Sequence, residues 1–214
     1  MQDAEPATGA GRRAQANRQR ILATATEELI REPDASMDDI ARAAGVVRRT
    51  LYGHFPSRDA LIAGIAGQAL AEMTETFERE AGRPGSPAET LARFFLALWQ
   101  VGDRYRLLIS LGERSLPGSG ISGLLAPVRD RVAVLLAEGQ RDGDFARHLP
   151  APVLAQALEG LTLALLRAVN EEVWREESPA AGAARACLIA AGVESGPAAA
   201  IVAGLTGALA PSDP

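Results

Sequence analysis

The sequence predicts an all-α protein in which a small N-terminal three-helix domain precedes a larger helical domain. Apolar residues make up 47% of the 214 residues but aromatics only 4%, and the abundant Ala and Leu favour helices over strands. Apolar positions recur at helical spacing between Gly and Pro breaks. No stretch alternates apolar and polar residues as a half-buried strand does.

The N-terminal region divides into a tail and three helices. Residues 1–11, rich in Ala, Gly and Pro, are interpreted as a disordered tail. From about residue 14 a helical period predicts a first helix that ends near Pro33. Ser36 predicts the N-cap of a second helix, with Asp39 as its capping-box partner. The third helix is predicted over 47–53.

The rest of the chain is also predicted to be helical. Residues 12–58 are assigned to the small domain and 59–214 to the larger one. Gly- and Pro-containing breaks separate the further helices, which are predicted over 57–80, 88–101, 105–114, 121–140, 151–175, 179–191 and 197–209.

Three residues in the small domain have the spacing of a helix-turn-helix. Ala41 supplies the tiny residue where two helices cross, Gly45 tolerates the positive φ of the turn, and Leu51 is the apolar anchor of the second helix. This register leaves Arg48, Arg49, Thr50 and Tyr52 on the outer face. That face is the one that enters the major groove in such motifs.

Charge is distributed unevenly in a way that suits this interpretation. The net charge is -5, yet residues 1–58 carry nine Arg and eight acidic residues, and no acid lies between Arg42 and Arg58. Arginine can read guanine with a bidentate fork or contact phosphate. The alternative is a solvated basic face around an aromatic plug. We predict that Phe55 packs against the first and fourth helices, while His54 stays open between packing and phosphate contact.

The segment 17–62 resembles the DNA-binding domain of the TetR family of transcriptional regulators. SMDDIARAAGV followed by TLYGHFPSRDAL matches the family signature almost position by position, over about a fifth of the chain. The resemblance implies a homodimer that binds a double-stranded, usually palindromic, DNA operator. It also implies a C-terminal ligand-binding and dimerisation domain and, for most members, repression relieved by a small-molecule inducer. A regulator that activates, or acts without a ligand, is the alternative.

The resemblance also assigns roles to residues. Thr50 and Tyr52 match the family's usual DNA-contacting positions, and Arg58 matches the basic residue that begins the fourth helix. Two departures are Val47, where Ser is common, and Arg49, where a small residue is common. The full predicted DNA-binding set is Ser36, Val47, Arg48, Arg49, Thr50, Tyr52, His54 and Arg58. Arg12 and Arg13 stay open between a minor-groove contact and a solubilising tail.

The larger domain contains one aromatic concentration and one strongly apolar helix. A mostly apolar effector pocket is predicted at Phe94, Phe95, Leu98, Trp99, Tyr105 and Leu108, although plain core is the alternative. Residues 153–169 are apolar on more than one face, which predicts burial on both sides and dimerisation. The predicted dimer contacts are Leu154, Leu158, Leu161 and Leu165, and the alternative is an internal helix of a monomer.

Other classes of function find little support. The G-x-G-x-x-G pattern at 118–123 has helical surroundings rather than the strand that a dinucleotide site needs, so a loop is predicted. The single cysteine, Cys187, excludes an intramolecular disulfide and is predicted to fill the core. We expect no enzyme activity, cofactor or metal. Residues 1–13 lack the apolar segment of a signal peptide and charges interrupt 153–169, so a cytoplasmic protein outside the membrane is expected.

Overall fold

The structure, a computed structural model, describes residues 9–115, 120–176 and 178–207, and these ranges are helical with no strand. The predicted all-α class is therefore confirmed. In chain order the helices of the described ranges are α1 Gly9–Arg31, α2 Met37–Ala43, α3 Arg48–His54, α4 Arg58–Ala81, α5 Pro87–Ser115, α6 Gly120–Leu124, α7 Ala126–Asp142, α8 Ala151–Asn170, α9 Pro179–Ala190 and α10 Ser195–Gly207.

The chain divides into two compact units, and the first comprises Met1–Gln68 with Leu108–Ile121. In it α1 packs on α2 and α2 packs on α3. The apolar period of the first helix supplies its side of the core, because one face of a helix presents every third or fourth residue. The fully buried side chains are Ile21, Leu22, Leu29, Ile40, Leu51, Phe55 and Leu61.

The second unit comprises Ala69–Leu107 with Ser122–Pro214. Here α7 packs on α8, α8 on α9, and α9 on α10. The centre of its core contains Phe94, Leu136 and Leu158, each at most 1% exposed. Cys187 is buried in the same core, as predicted, and burial raises the pKa of its thiol to about 12.

The first helix begins earlier than the sequence predicts. Gly9–Arg31 is one helix, so residues 9–11 of the predicted tail are helical, while residues 1–8 lie outside the described residues. Arg12 and Arg13 are consequently exposed residues of α1, not of a flexible tail. No acidic residue follows until Glu27, and alternating long polar and small residues sustain the helix over this stretch.

The largest difference from prediction is in α5, which is one helix of 29 residues rather than two helices separated near Gly102. Gly102 lies inside this helix and does not end it. Its lack of a side chain is required for packing against α8. A Cβ at this position would lie 3.2 Å from both methyl carbons of Leu166 in α8. The glycine therefore permits close contact between α5 and α8, a requirement that sequence punctuation does not reveal.

Two further boundaries differ. Helix α8 ends at Asn170, not 175, because Glu172 adopts a φ of 55° and the Val173 and Trp174 amides donate to the Ala168 carbonyl. Helix α7 begins at Ala126, with Pro in its first turn, after the short α6. In the G-x-G-x-x-G pattern predicted to be a loop, residues 118–119 lie outside the described residues, whereas Gly120 and Gly123 are helical.

Among the described residues, α8 is the one helix whose length and hydropathy would suffice to cross a membrane. A buried core helix of a globular domain meets the same two criteria. Leu154 and Leu158 of α8 lie in the core, and Glu159 pairs with Arg129 of α7 at 2.7 Å. One side of α8 thus packs in the core of its unit, although only 22% of its most apolar 18-residue window is buried.

Candidate nucleic-acid interface

The first element of the candidate interface is α2, whose start is fixed by a capping box. The Asp39 amide donates to the Ser36 hydroxyl over 3.2 Å, and the Ser36 amide donates to the Asp39 carboxylate over 3.1 Å. These hydrogen bonds satisfy amides that the first turn of a helix leaves unpaired. The Ser36 hydroxyl in turn donates to the Asp39 carboxylate, and this hydrogen bond, followed by the one from the Ser36 amide, lowers the pKa of Asp39, with a smaller contribution from Arg42.

The turn between α2 and α3 follows the predicted pattern. Gly45 has a φ of 62°, which a residue with a side chain adopts only at a cost. The Val46 amide donates to the Ala41 carbonyl over 3.0 Å, and Ala41 is 4% exposed where the helices meet. Leu51 of α3 is fully buried. All three residues predicted to build the helix-turn-helix therefore lie where that motif needs them.

Burial of Leu51 determines which side of α3 faces outward. Val47, Arg48 and Arg49 are exposed, as is Tyr52 one turn further on. Thr50 and His54 are half-buried at the edges of this face. Val47 is the N-cap of α3 and its side chain makes no hydrogen bond, so the amides of Arg48 and Arg49 receive no side-chain cap, whereas the Thr50 amide donates to the Val47 carbonyl over 2.8 Å.

The two arginines of α3 differ in their surroundings. Arg48 Nη1 lies 3.0 Å from Oδ2 of Asp38, and its guanidinium lies 5.5 Å from the centre of the Tyr52 ring. The hydrogen bond to Tyr52 and the charge of Asp38 raise the pKa of Arg48 further above its usual value. Arg49 has no ion-pair or hydrogen-bond partner in the described part of the chain. Asp38 is not among the predicted residues because no helical spacing links it to Arg48.

The start of α4 adds backbone donors and another arginine. The Ser57 hydroxyl accepts from the Ala60 amide over 3.1 Å and so caps this helix. Arg58, at its first position, donates to the Pro33 carbonyl of the α1–α2 connection. Phe55, just before, is 2% exposed and has Arg18 of α1 5.1 Å above its ring. The predicted packing of Phe55 against α1 is thus confirmed.

The predicted effector residues lie mainly in the core of the second unit. Phe94, Phe95, Trp99 and Tyr105 are each at most 8% exposed, Leu98 is half-buried, and the Leu108 side chain lies outside the described residues. Trp99 packs edge-on against Trp174, with ring centres 5.8 Å apart. The Tyr105 hydroxyl donates to Glu72 over 2.8 Å.

A surface cavity of about 330 Å³ lies elsewhere in this unit, and none of the six predicted effector residues lines it. Its lining includes the apolar side chains of Phe77, Pro87 and Leu135, together with Arg83 and Arg131. Both arginines already pair with acids, Arg83 with Glu80 and Arg131 with Glu78. Their charges are therefore largely compensated within the chain.

Among the predicted dimer contacts, the four leucines of α8 fall into two groups. Leu154 and Leu158 are each 1% exposed in a single chain, so they have almost no surface to offer a partner. Leu161 and Leu165 are half-buried. The side of α8 that faces outward contains smaller residues, namely Val153, Ala157, Gly160 and Ala164.

Comparison with known proteins places this geometry in a family. Residues 21–65 match the family described as bacterial regulatory proteins, tetR family. The HTH-type transcriptional regulator EthR of Mycobacterium tuberculosis (strain ATCC 25618 / H37Rv) is 40% identical over 72 residues, which cover 28% of this chain and 33% of EthR. The match thus spans about a third of the length of the curated relatives, and those relatives are DNA-binding regulators.

Solved structures extend the likeness in fold to most of the chain. The transcriptional regulator FadR from Bacillus subtilis, solved with stearoyl-CoA, has a TM-score of 0.68 at 16% identity, covering 81% of this chain and 97% of FadR. The TetR family regulator PfmR from Thermus thermophilus has a TM-score of 0.64 at 20% identity, covering 81% and 98%. Residues 21–65 therefore form a helix-turn-helix domain similar to that of the tetR family of bacterial regulatory proteins, and most of the chain shares the fold of these solved regulators.

Proposed function

We propose that this protein regulates transcription by binding a palindromic operator through α3 of each subunit of a homodimer. One observation carries the proposal: Arg48, Arg49 and Tyr52 stand exposed on a helix that the buried Leu51 fixes in a helix-turn-helix. A helix held in this way can enter the major groove, and arginine is the side chain best suited to reading guanine there.

The surrounding residues supply the contacts that position such a helix on the duplex. The amides of Arg48 and Arg49, which no side chain caps, and the start of α4 at Ser57 and Arg58 are proposed to offer backbone donors to phosphate oxygens. Thr50 and His54, at the edges of the exposed face, are proposed as further phosphate contacts. Ser36 serves α2 as its cap and is proposed to act on DNA only by fixing that helix.

The decisive experiment is selection of bound sequences from random duplex DNA with the full chain. A palindromic consensus is expected, and its affinity should fall linearly with salt on logarithmic axes because each phosphate contact releases counterions. Arg49→Ala removes one phosphate contact from each subunit and should reduce that salt slope by about 2 for the dimer. Arg141→Ala, which removes an exposed charge from α7, is the matched control and should leave the slope unchanged. Recovery of no consensus would refute the proposal.

We further propose that a small, mostly apolar effector releases the protein from its operator and so relieves repression. The aromatic cluster formed by Trp99 of α5 and Trp174, which follows α8, supports an apolar site, as does the stearoyl-CoA named with FadR. Helix α4 is uninterrupted from Arg58 to Ala81, so an effector that repacks residues 69–81 would displace the start of the same helix.

A fluorescence titration tests the effector proposal, because the chain has only two tryptophans and they are in contact. Apolar ligands that change tryptophan emission should also weaken operator binding. Trp99→Phe should alter this response without changing operator affinity in the absence of ligand. Measuring transcription from the operator in cells with and without the protein then separates repression from activation. We also propose that the protein acts in the cytoplasm, where such DNA is available.

A further inference from the structure

An acidic residue lies directly beside the face of α3 that is proposed to read DNA. Oδ2 of Asp38 in α2 is 3.0 Å from Nη1 of Arg48, and the side chains are 47% and 67% exposed. The guanidinium of Arg48 also lies 5.5 Å from the centre of the Tyr52 ring. Arg48 is therefore held by a carboxylate from one helix and by an aromatic ring one turn along its own helix.

This arrangement has little value for folding. An ion pair this exposed contributes little to stability because water screens it. A carboxylate near phosphates also lowers the affinity of a DNA-binding surface. Asp38 is therefore expected to act when DNA is bound. Exclusion of water at the interface strengthens charge interactions, and an Arg48 guanidinium that is already held in place loses less conformational freedom on binding.

The neighbouring arginine lacks any such restraint. Arg49 is exposed and has no partner in the described chain, so its side chain can follow the phosphate backbone. Arg48, by contrast, keeps donors beyond the one directed at Asp38, since a guanidinium carries five N–H groups. The restrained guanidinium of Arg48, with its remaining donors, is suited to hydrogen bonding with a base edge. The unrestrained charge of Arg49 is suited to contact with phosphate.

We propose that Asp38 is a positioning residue that, with Tyr52, orients Arg48 to read a guanine, whereas Arg49 contacts the phosphate backbone. The proposal rests on the proposed DNA-binding function and extends it by assigning base specificity to one arginine. It also predicts that Asp38 lowers the affinity for every duplex, because its charge repels phosphate. The same residue increases discrimination between base pairs, because it orients the Arg48 guanidinium toward one of them.

The test measures affinity for the selected duplex, for duplexes with each base pair substituted, and for a scrambled duplex. Asp38→Asn, which keeps the shape of the side chain, is compared with Asp34→Asn, which removes the same charge from an exposed turn of the same unit. Both variants should bind the scrambled duplex a few-fold more tightly. Only Asp38→Asn should lose about tenfold in discrimination, at one base pair per half-site.

Arginine variants identify the reader. Arg48→Ala should abolish preference at that same base pair, and adding Asp38→Asn to it should change no preference further. Arg49→Ala should lower the affinity for the selected duplex and for the scrambled duplex by equal factors. A preference profile for Asp38→Asn identical to that of Asp34→Asn, or loss of base preference in Arg49→Ala rather than Arg48→Ala, overturns the inference. Absence of any preferred duplex for the unaltered protein would instead overturn the proposed function itself.

Discussion

The ring of Phe55 packs so closely against Gly64 of α4 that no side chain fits at residue 64. A Cβ built on Gly64 would lie 2.8 Å from Cε1 of Phe55 and 3.0 Å from Cδ2 of Leu22 in α1. The signature aromatic that follows α3 is thus clamped between two other helices of the first unit. The position of α3 depends on this clamp, since Phe55 is the residue that ends it.

Gly64→Ala is expected to destabilise the first unit. Overpacking a filled core costs about 1–3 kcal/mol, which exceeds the 0.5–1 kcal/mol or so that Ala contributes over Gly in a helix. Gly67→Ala is the control, because it lies in the same helix with no atom within 4 Å of its Cβ position, and it should be slightly stabilising. Denaturant unfolding of both variants measures the difference, and equal behaviour would contradict the packing argument.

Val47 leaves the start of α3 without a side-chain cap, which can be corrected. Its backbone has φ -73° and ψ 148°, the conformation of an N-cap, and the side chain is 69% exposed. Val47→Ser should therefore increase the free energy of unfolding by about 1 kcal/mol, because the hydroxyl can accept from the uncapped Arg49 amide. Val47→Ala lacks the hydroxyl and should give no such gain. Equal stabilities of the Ser and Ala variants would exclude capping as the explanation.

The helix-turn-helix could be predicted because its determinants are local. Ala41, Gly45 and Leu51 lie within eleven residues. Each position has one steric requirement, and the type of residue found there is enough to identify it. The partners of charged groups could not be predicted. Arg48 meets Asp38, ten positions away, and Tyr105 meets Glu72, 33 positions away, at separations with no helical meaning. Such pairs depend on how helices cross.

Gly102 illustrates the same limit for helix boundaries. In sequence a glycine followed by Asp103 is typical of a helix end and predicts two separate helices there. In the structure the residue packs against Leu166, a contact 64 positions away that only the folded chain creates. The same limit applies to the leucine stripe of α8. Its spacing identifies a buried face, but it cannot distinguish burial in the chain's own core from burial against a partner subunit.

Glu80 and Arg93 form a buried ion pair that joins α4 to α5. Their side chains are 8% and 7% exposed, and Nε of Arg93 lies 3.7 Å from Oε2 of Glu80. Glu80→Gln should cost about 3 kcal/mol, because it leaves the Arg93 charge buried and uncompensated. Glu78→Gln, which removes an exposed partner of Arg131, should cost under about 1 kcal/mol. Comparable unfolding midpoints for the two variants would show that the buried pair is not stabilising.

Tyr105 is expected to ionise late. Burial, followed by its hydrogen bond to Glu72, raises the pKa of this phenol from 10.0 to about 12. The folded state therefore favours the neutral phenol, so this contribution to stability is complete below pH 10 and is lost as the pH rises to about 12. Tyrosinate absorbance of the unaltered protein should contain a titration near 12 that Tyr105→Phe lacks. Identical titration curves for the unaltered protein and Tyr105→Phe in this pH range would contradict the assignment.

The outward side of α8 is proposed as part of the dimer interface. Val153, Ala157, Gly160 and Ala164 recur at spacings of three and four, so they form one uncharged exposed stripe. Small residues allow two helices related by a two-fold axis to approach closely, and interface centres are depleted of charge. The adjacent half-buried Leu161 and Leu165 can then complete their burial against the partner.

Ala157→Arg should convert the dimer into a monomer, because it places a charge at the centre of this stripe on both subunits at once. Light scattering after size exclusion should give twice the 22.4 kDa chain mass for the unaltered protein and the single mass for the variant. Ala71→Arg, on an exposed position of α4, is the matched control and should remain dimeric. If Ala157→Arg also stays dimeric, the two-fold contact must be made by another surface, of which the uncharged outer side of α10 around Ala203 is the next to test.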